Sequence, residues 1–181
     1  MGVTYLFKSE RLGFRNWIPS DIEKLVRINA DKEVMQFFPA LPSIQETIAF
    51  IERMQTQFAK KNYCYFAVDE LASGTFIGFI GLSDQTYDSD FTPHTDIGWR
   101  LRRSSWSRGY ATEGAKACLE YAKQELNIPE IFAVASKVNL NSINVMEKIG
   151  MSYVKNFEHP GLKHNASLKT CVLYRYKKRS N

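Results

Sequence analysis

The stretch WSRGYATEG, residues 106–114, combines residue types that could hold an anion. Arg108 carries a permanent positive charge on a planar group whose donors match phosphate oxygens. Gly109 follows it, and a helical pattern begins directly behind. The first turn of a helix carries unpaired backbone N–H groups with partial positive charge, and a glycine lets a ligand approach them closely. The stretch therefore predicts an anion site at a helix N-terminus.

Other common reaction motifs are missing from the sequence. There is no Walker phosphate loop and no glycine fingerprint of a dinucleotide-binding fold. The GxSxG elbow of serine hydrolases is also absent. The three histidines and three cysteines do not show the close spacing of metal ligands, so no metal site is predicted.

Hydrophobic patterning on both sides of the anion segment predicts a mixed α/β fold built around one sheet. The predicted strands cover residues 11–16, 63–68, 75–82, 94–101, 131–135, 151–157 and 168–176. One helix is predicted to begin after Ser20. The other helices are predicted over 43–61, 109–126 and 141–149, and Gly150 ends the last of them. Ser20 and Ser43 each have a glutamate three residues on, as a capping box requires. A turn is predicted over 69–74, and the strands at 94–101 and 131–135 should form a parallel crossover.

Composition and charge limit the class of protein. The 181 residues, 44% hydrophobic and 24% charged, predict one globular domain spanning 1–181. Three widely separated cysteines favour a reducing compartment over a disulfide framework. No leader pattern opens the chain and no apolar run reaches the ~18 residues of a membrane span. These features predict a cytoplasmic protein that needs no membrane, and the net charge of +5 suits an anionic ligand.

Three motifs in order resemble the GNAT superfamily of N-acetyltransferases, most closely its RimJ/RimL-type branch. They read IGWRL over 97–101, WSRGYATE over 106–113 and NLNSINVMEKIGM over 139–151. The resemblance covers nearly the whole chain. It implies a mixed, mostly antiparallel sheet flanked by helices, which splays between strand 94–101 and strand 131–135. The sequence departs from the branch at Ser107, where glycine is frequent; serine is less free in φ and could narrow the loop.

The resemblance implies acetyl-CoA as co-substrate, and no metal. In the family the pyrophosphate lies on the loop amides, which here belong to Arg108, Gly109, Tyr110, Ala111 and Thr112. The pantetheine arm pairs with the strand before the loop and contacts a side-chain amide beyond the next strand. The further cofactor-binding residues implied in this way are Trp99, Leu101, Arg103, Asn139 and Ser142.

Acetyl transfer to an amine needs groups that move protons, because an amine is protonated near pH 7. Asp96, directly before the IGWRL motif, is the first candidate for the base, acting directly or through a water. Glu158 and His159 are the second choice, since an imidazole suits proton removal near neutral pH. Ser142 matches a family position where a hydroxyl can face the thiol and act as the acid. Each of these residues also has a structural alternative. Asp96 could be a solvated acid at the start of a strand, and Glu158 and His159 could cap a loop. Ser142 could be a residue that binds backbone amides at a helix start.

The predicted function is acetyl-CoA-dependent N-acetyl transfer to a primary amine by direct attack in a ternary complex. The acceptor is a protein N-terminus or a small-molecule amine, and aspartates in the 84–96 segment could attract a cationic one. A non-catalytic acyl-CoA sensor domain is the alternative. Nucleic-acid binding ranks last, because the basic residues are scattered and no recognition motif is present. Homodimer formation through exposed strand edges is left open.

Overall fold

The computed structural model describes residues 4–177, so residues 1–3 of the N-terminal pattern considered above lie outside the described part. The strands are β1 (Phe7–Lys8), β2 (Leu12–Arg15), β3 (Tyr65–Glu70), β4 (Thr75–Gln85), β5 (His94–Leu101), β6 (Glu130–Ser136), β7 (Ser152–Glu158) and β8 (Thr170–Lys177). The helices are α1 (Asp21–Ala30), α2 (Lys32–Met35), α3 (Ile44–Lys61), α4 (Tyr110–Tyr121) and α5 (Leu140–Lys148). None of the helices within residues 4–177 has the length and apolar character needed to span a bilayer.

All eight strands form one sheet in the order β1-β2-β3-β4-β5-β6-β8-β7. Every neighbouring pair is antiparallel except β5 and β6, which run parallel as predicted. β4 and β5 pair along eight positions, whereas β5 and β6 are joined at a single pair, Asp96 with Phe132. The sheet therefore splays between β5 and β6, and the predicted fold class is confirmed.

The two faces of the sheet bury different helices, because successive strand residues point to opposite sides. On one face α4 lies close to β4: a Cβ atom added to Gly114 would come within 2.3 Å of Ile80. On the other face the Phe50 ring of α3 lies 5.1 Å from Phe79 of β4. This second face also carries Trp17, whose ring packs edge-on against Phe50.

The helix starts show one correct and one wrong prediction. At α3 the capping box forms: Ser43 Oγ accepts from the Glu46 amide at 3.1 Å, and the Glu46 carboxylate accepts from the Ser43 amide at 2.7 Å. At α1 the predicted capping box is wrong, because Ser20 has helical backbone angles and its side chain makes no cap bond. The Asp21 carboxylate instead accepts from the Ile18 amide at 3.1 Å and turns into the core.

A buried cluster of three charged side chains explains why the capping box at α1 does not form and why β3 is longer than predicted. Arg15 donates to both oxygens of Asp21, at 2.6 and 2.9 Å, and to both oxygens of Asp69, at 2.7 and 2.9 Å. All three side chains are almost fully buried. Burial alone would lower the pKa of Arg15, but the hydrogen bonds to the two carboxylates outweigh it and raise that pKa. Because Asp69 is held inward, β3 continues to Glu70, and the turn predicted from residue 69 begins later.

The other differences lie in short elements and at the ends of helices and strands; β4, for example, continues to Gln85, beyond its predicted end at residue 82. β1 and α2, of two and four residues, were not predicted. The predicted helix over 109–126 divides into α4 and a π-helical turn at Ala122–Leu126. Gly150 has a φ of +84° after α5, as expected for a glycine that ends a helix.

Candidate active site

A cleft of about 870 Å³ opens where β5 and β6 diverge. Its walls come from β5, the loop before α4, the first turns of α4 and α5, and the segment from α2 to α3. The predicted site residues that line it are Asp96, Trp99, Leu101, Gly109, Tyr110, Ala111, Thr112, Asn139, Ser142 and His159. The structure thus brings most of them together around one space, whereas Arg103, Arg108 and Glu158 are not part of its lining.

The loop between β5 and α4 lines the cleft and leads into a helix start without a side-chain cap. Trp106 Nε1 donates to the Leu101 carbonyl at 2.9 Å and closes the loop on the end of β5. Gly109 precedes α4 with a φ of +78°, and no side chain caps the first turn of the helix. A side chain at Gly109 would meet only Arg11, at 3.5 Å, so this position needs glycine for its backbone angle rather than for space. Ser107, the departure noted above, also has a positive φ of +59°.

Arg108 and Arg103 turn away from the cleft. Arg108 Nη1 lies 3.3 Å from Glu70, and its side chain is 55% exposed. Arg103 Nε lies 3.5 Å from Asp31, beside a separate depression of about 520 Å³. The positive character of the loop inside the cleft therefore comes from backbone amides, which is where the predicted anion site is centred.

The start of α4 is anchored to the N-terminal strands. Glu113 accepts from Ser9 Oγ at 2.6 Å, from the Arg11 amide at 2.8 Å and from Arg11 Nε at 2.7 Å. Burial would raise the pKa of Glu113, but these hydrogen bonds outweigh it and lower the pKa. The carboxylate lies one turn into the helix, where negative charge is favourable, and it fixes the loop in position.

Asp96 is the carboxyl group that faces the cleft. Its Oδ2 accepts from the Tyr65 hydroxyl at 2.9 Å, while Oδ1 is buried and has no hydrogen-bond partner within residues 4–177. Burial raises the pKa of Asp96 to about 8, although the bond from Tyr65 acts in the opposite direction. A carboxyl group of this kind exchanges its proton near neutral pH, which is the property that a general base requires.

Asn139 and Ser142 lie together at the start of α5. Asn139 Oδ1 accepts from the Ser142 amide at 3.1 Å and caps the helix. The capping role that the sequence left open for Ser142 is therefore filled by Asn139. Ser142 is half-buried and lines the cleft.

Glu158 and His159 differ in placement although they are neighbours. Glu158 is 61% exposed and pairs with Lys169 at 3.0 Å. His159 lines the cleft; its ring lies 4.4 Å from Tyr87, and its Nδ1 accepts from the Gly161 amide at 3.1 Å. Burial lowers the pKa of His159, so its imidazole is neutral at pH 7.

Several cleft residues were missed by the sequence predictions. Tyr65, Phe79 and Arg100 line the cleft with Asp96, and Phe38 and Arg53 also belong to its lining. Tyr65 stacks on Phe79 at 5.3 Å. Arg100 could have been found, because strand alternation places it on the same face as Asp96. The others come from separate strands and helices, and only the folded chain joins them. Phe50 of α3, which packs on Phe79, also lines the cleft.

Comparisons with known proteins agree with this geometry. The uncharacterized N-acetyltransferase YnaD of Bacillus subtilis is 27% identical over 144 residues, which cover 79% of this chain and 80% of YnaD. A GNAT-family acetyltransferase from Bacillus anthracis superposes with a TM-score of 0.78 at 26% identity, covering 94% of this chain and 96% of that structure. The spermidine N-acetyltransferase of Vibrio cholerae, solved with CoA and spermine, shares the fold, with a TM-score of 0.73 at 16% identity over 92% of this chain and 95% of that one.

The family model for the acetyltransferase (GNAT) domain matches residues 11–152. This range contains the splayed β5–β6 pair, the loop before α4, and α5. It covers well over half of the 181 residues. The chain therefore belongs to the GNAT family of acetyltransferases.

Proposed function

We propose that this chain transfers an acetyl group from acetyl-CoA to a primary amine by direct attack in a ternary complex, as an enzyme of the RimJ/RimL type. The proposal treats residues 1–181 as one catalytic domain. One observation carries it: a carboxyl group with a pKa of about 8 lines the same cleft as the uncapped first turn of α4. The cleft therefore contains both a candidate proton acceptor and, at the first turn of α4, a candidate site for an anionic group.

The residues at the loop fit the diphosphate of acetyl-CoA. The first turn of α4 has no side-chain cap and lines the cleft, and the two loop residues Ser107 and Gly109 have the positive φ angles of a tight turn. One related structure of the same fold supports this choice of co-substrate, since the spermidine N-acetyltransferase of Vibrio cholerae was solved with CoA. Trp99, Leu101, Asn139 and Ser142 are the proposed contacts along the rest of the cofactor.

Asp96 is the proposed base. In its ionised form, which becomes populated as pH approaches 8, Asp96 removes a proton from the acceptor ammonium, directly or through one water, while Tyr65 holds the other carboxyl oxygen. The free amine then forms a C–N bond to the thioester carbon, and the C–S bond breaks. Ser142 is the proposed proton relay: its hydroxyl gives a proton to the leaving thiolate and takes up the second proton of the attacking nitrogen, so that the products are the acetamide and the free thiol of CoA. Holding both substrates in one cleft contributes by orientation as well.

Glu158 and His159 are retained as the second choice for the base. His159 has the stronger support, because it lines the cleft and its imidazole is neutral at pH 7. Glu158 is exposed and paired with Lys169, so its carboxylate faces away from the proposed reaction.

A thiol-release assay tests the proposed function. Acetyl-CoA is incubated with a panel of amines, amino acids and N-terminal peptides, and free CoA is measured together with the acetylated product. We expect release that depends on both substrates. Tight binding of CoA without release for any amine would favour the sensor alternative and contradict an enzymatic role.

Replacement of Gly109 by valine tests the cofactor site separately. Valine is poorly tolerated at a φ of +78°, so the loop must distort and the affinity for CoA should fall by more than tenfold. Unchanged affinity in calorimetry would contradict the assignment of the loop. Gly74, which also has a positive φ but lies outside the cleft, provides the matched control.

A further inference from the structure

Arg100 is a half-buried cation in the wall of the cleft. Alternation along β5 places it on the same face as Asp96 and Gly98, and Gly98 lies against the Tyr65 ring. The guanidinium carbon of Arg100 lies 4.3 Å from the centre of the Phe38 ring and 5.3 Å from that of Phe79. Its Nη1 donates to the Asn29 side-chain oxygen at 2.8 Å.

The charge on Arg100 is not matched by an anion. Its Nε is buried without a hydrogen-bond partner, and no carboxylate within residues 4–177 forms an ion pair with it. Burial lowers the pKa of Arg100 to about 10, so the side chain stays charged at neutral pH. An unpaired buried charge costs free energy, and the two aromatic rings offset only part of it. Although its Nε has no exposed surface, Arg100 as a whole is half-buried and lines the cleft, so its guanidinium group is available to a bound acceptor group.

The other charges nearby do not supply that acceptor group. Asp84 is bound by Lys61 and Tyr63, and Asp90 is bound by Lys155, so two aspartates of the 84–96 segment are already paired. Asp96 has a pKa of about 8 and is mostly uncharged at pH 7.

Two exposed charges complete the rim of this wall. Glu33 of α2 and Arg53 of α3 have opposite signs and both reach solvent, where charge interactions are weak. We call the cleft wall formed by Phe38, Tyr65, Phe79 and Arg100 the acceptor wall. Its ionised side chain is that of Arg100, and the charge is therefore positive. This arrangement opposes a polyamine acceptor and favours one that carries a negative group.

We propose that Arg100 binds a carboxylate of the acceptor, so that the preferred substrates are primary amines carrying a carboxylate several bonds from the nitrogen. This inference rests on the proposed function and names its substrate class. The amine lies at Asp96 and the carboxylate at Arg100. Residues four apart in a strand have Cα atoms about 13 Å apart, which leaves room for an aliphatic chain or a short peptide between the two groups.

A series of ω-amino acids, from 3-aminopropanoate to 8-aminooctanoate, tests this selectivity. Each is compared with its own primary amide, which keeps the amine and the length but removes the charge. A hydrogen bond to a charged group predicts that kcat/KM for the best acid exceeds that of its amide by about 10- to 100-fold. In Arg100→Gln, kcat/KM for the acid and kcat/KM for its amide should agree within about twofold, mainly because KM for the acid is higher.

Arg53→Gln is the matched control, because Arg53 also lines the cleft but is exposed. It should keep the preference for the acid. Thermal unfolding of Arg100→Gln and of Arg100→Met establishes that both variants are folded, and the loss of preference should be common to them.

Three results would overturn the inference. Equal rates for acids and amides in the parent enzyme would show that no carboxylate is recognised. A preference that survives in Arg100→Gln would assign it to another group. A higher KM for acetyl-CoA in that variant, with the preference unchanged, would assign Arg100 to the co-substrate. If no amine of either kind releases thiol, the proposed function fails as well, which separates the two failures.

Discussion

Arg15 and Arg100 are two arginines in contrasting surroundings. Arg15 is 3% exposed and donates to all four oxygens of Asp21 and Asp69. Arg100 is half-buried; within residues 4–177 its side chain makes one hydrogen bond, to the neutral amide of Asn29, and its Nε has no partner. The pairing is complete only at Arg15. Complete pairing indicates a structural group, and incomplete pairing next to a cleft indicates a group that acts on a ligand.

The carboxyl groups show the same contrast. Both oxygens of Asp21 and of Asp69 accept hydrogen bonds from Arg15, which holds these groups in place. Asp96 has one oxygen bound by Tyr65 and the other unpaired, and burial raises its pKa to about 8. A carboxylate with a cation on both oxygens is a poor base, whereas Asp96 can take up a proton near neutral pH.

The largest expected effect is that of Asp96→Asn on activity. Loss of a general base should lower kcat/KM by about 10²- to 10⁴-fold. The parent should gain activity as pH rises through about 8, where Asp96 ionises, and the variant should lose this dependence. The measurement is kcat/KM for an amine that the parent acetylates, from pH 6 to pH 9. Full activity and an unchanged pH profile would exclude Asp96 as the base and move the test to His159→Ala and Glu158→Gln.

The same variant has a second readout in stability. The folded protein holds a proton on Asp96 up to about pH 8, whereas the unfolded chain releases it near pH 4. Because the folded state binds more protons in this window, Asp96 makes the free energy of unfolding fall as pH rises from about 4 to 8. Asp96→Asn should remove that slope. A parallel pH dependence in parent and variant would contradict the raised pKa.

The next effect is on stability, at Arg15. Arg15→Met leaves two buried carboxylates without their cation, which should cost about 3–5 kcal/mol in the free energy of unfolding. Denaturant unfolding at pH 7 measures it, and the folded fraction should keep its kcat/KM because Arg15 lies outside the cleft. An unchanged unfolding midpoint would contradict the structural role of the cluster.

Methionine in place of Arg100 should change the free energy of unfolding much less than Arg15→Met does. Arg100→Met removes a cation that no anion balances, so the loss of the aromatic contacts is offset and the free energy of unfolding should stay within about 1 kcal/mol of the parent. Denaturant unfolding beside Arg15→Met gives a direct comparison. A loss as large as that of Arg15→Met would mean that Arg100 is a structural group.

The smallest effect is expected at Ser107. Its φ of +59° is strained for a residue with a side chain, by about 1–2 kcal/mol. Ser107→Gly relieves this strain but makes the unfolded chain more flexible, so the net gain should be about 0.5 kcal/mol. Thermal unfolding measures it, with Ser104→Gly, in the same loop, as the control. A destabilised Ser107→Gly variant would indicate that the serine side chain itself supports the loop.

Local patterns predicted those parts of the fold that depend on local interactions. β5, from His94 to Leu101, has the predicted bounds, and α3 begins where its capping box predicted. The capping box at Ser20 failed because Asp21 lies within reach of Arg15 and Asp69, which are distant in sequence. Long-range ion pairing outweighed a local cap, and no pattern within one segment contains that information.

The candidate site also has a part that local sequence predicts and a part that depends on contacts between distant segments. The loop before α4 is one continuous segment, so its residues could be named from the sequence. The acceptor wall combines Phe38, Tyr65, Phe79 and Arg100 from four separate elements or loops. Asp96 could be named from its place before the IGWRL motif, but its raised pKa depends on burial in the folded chain.

The single pairing between β5 and β6 has a mechanical consequence. Within residues 4–177, Asp96 and Phe132 are the one paired position between the five strands on one side and the three on the other. The candidate base therefore lies at the joint between the two half-sheets. A change in the angle between them alters the width of the opening away from this joint and displaces the carboxyl group least.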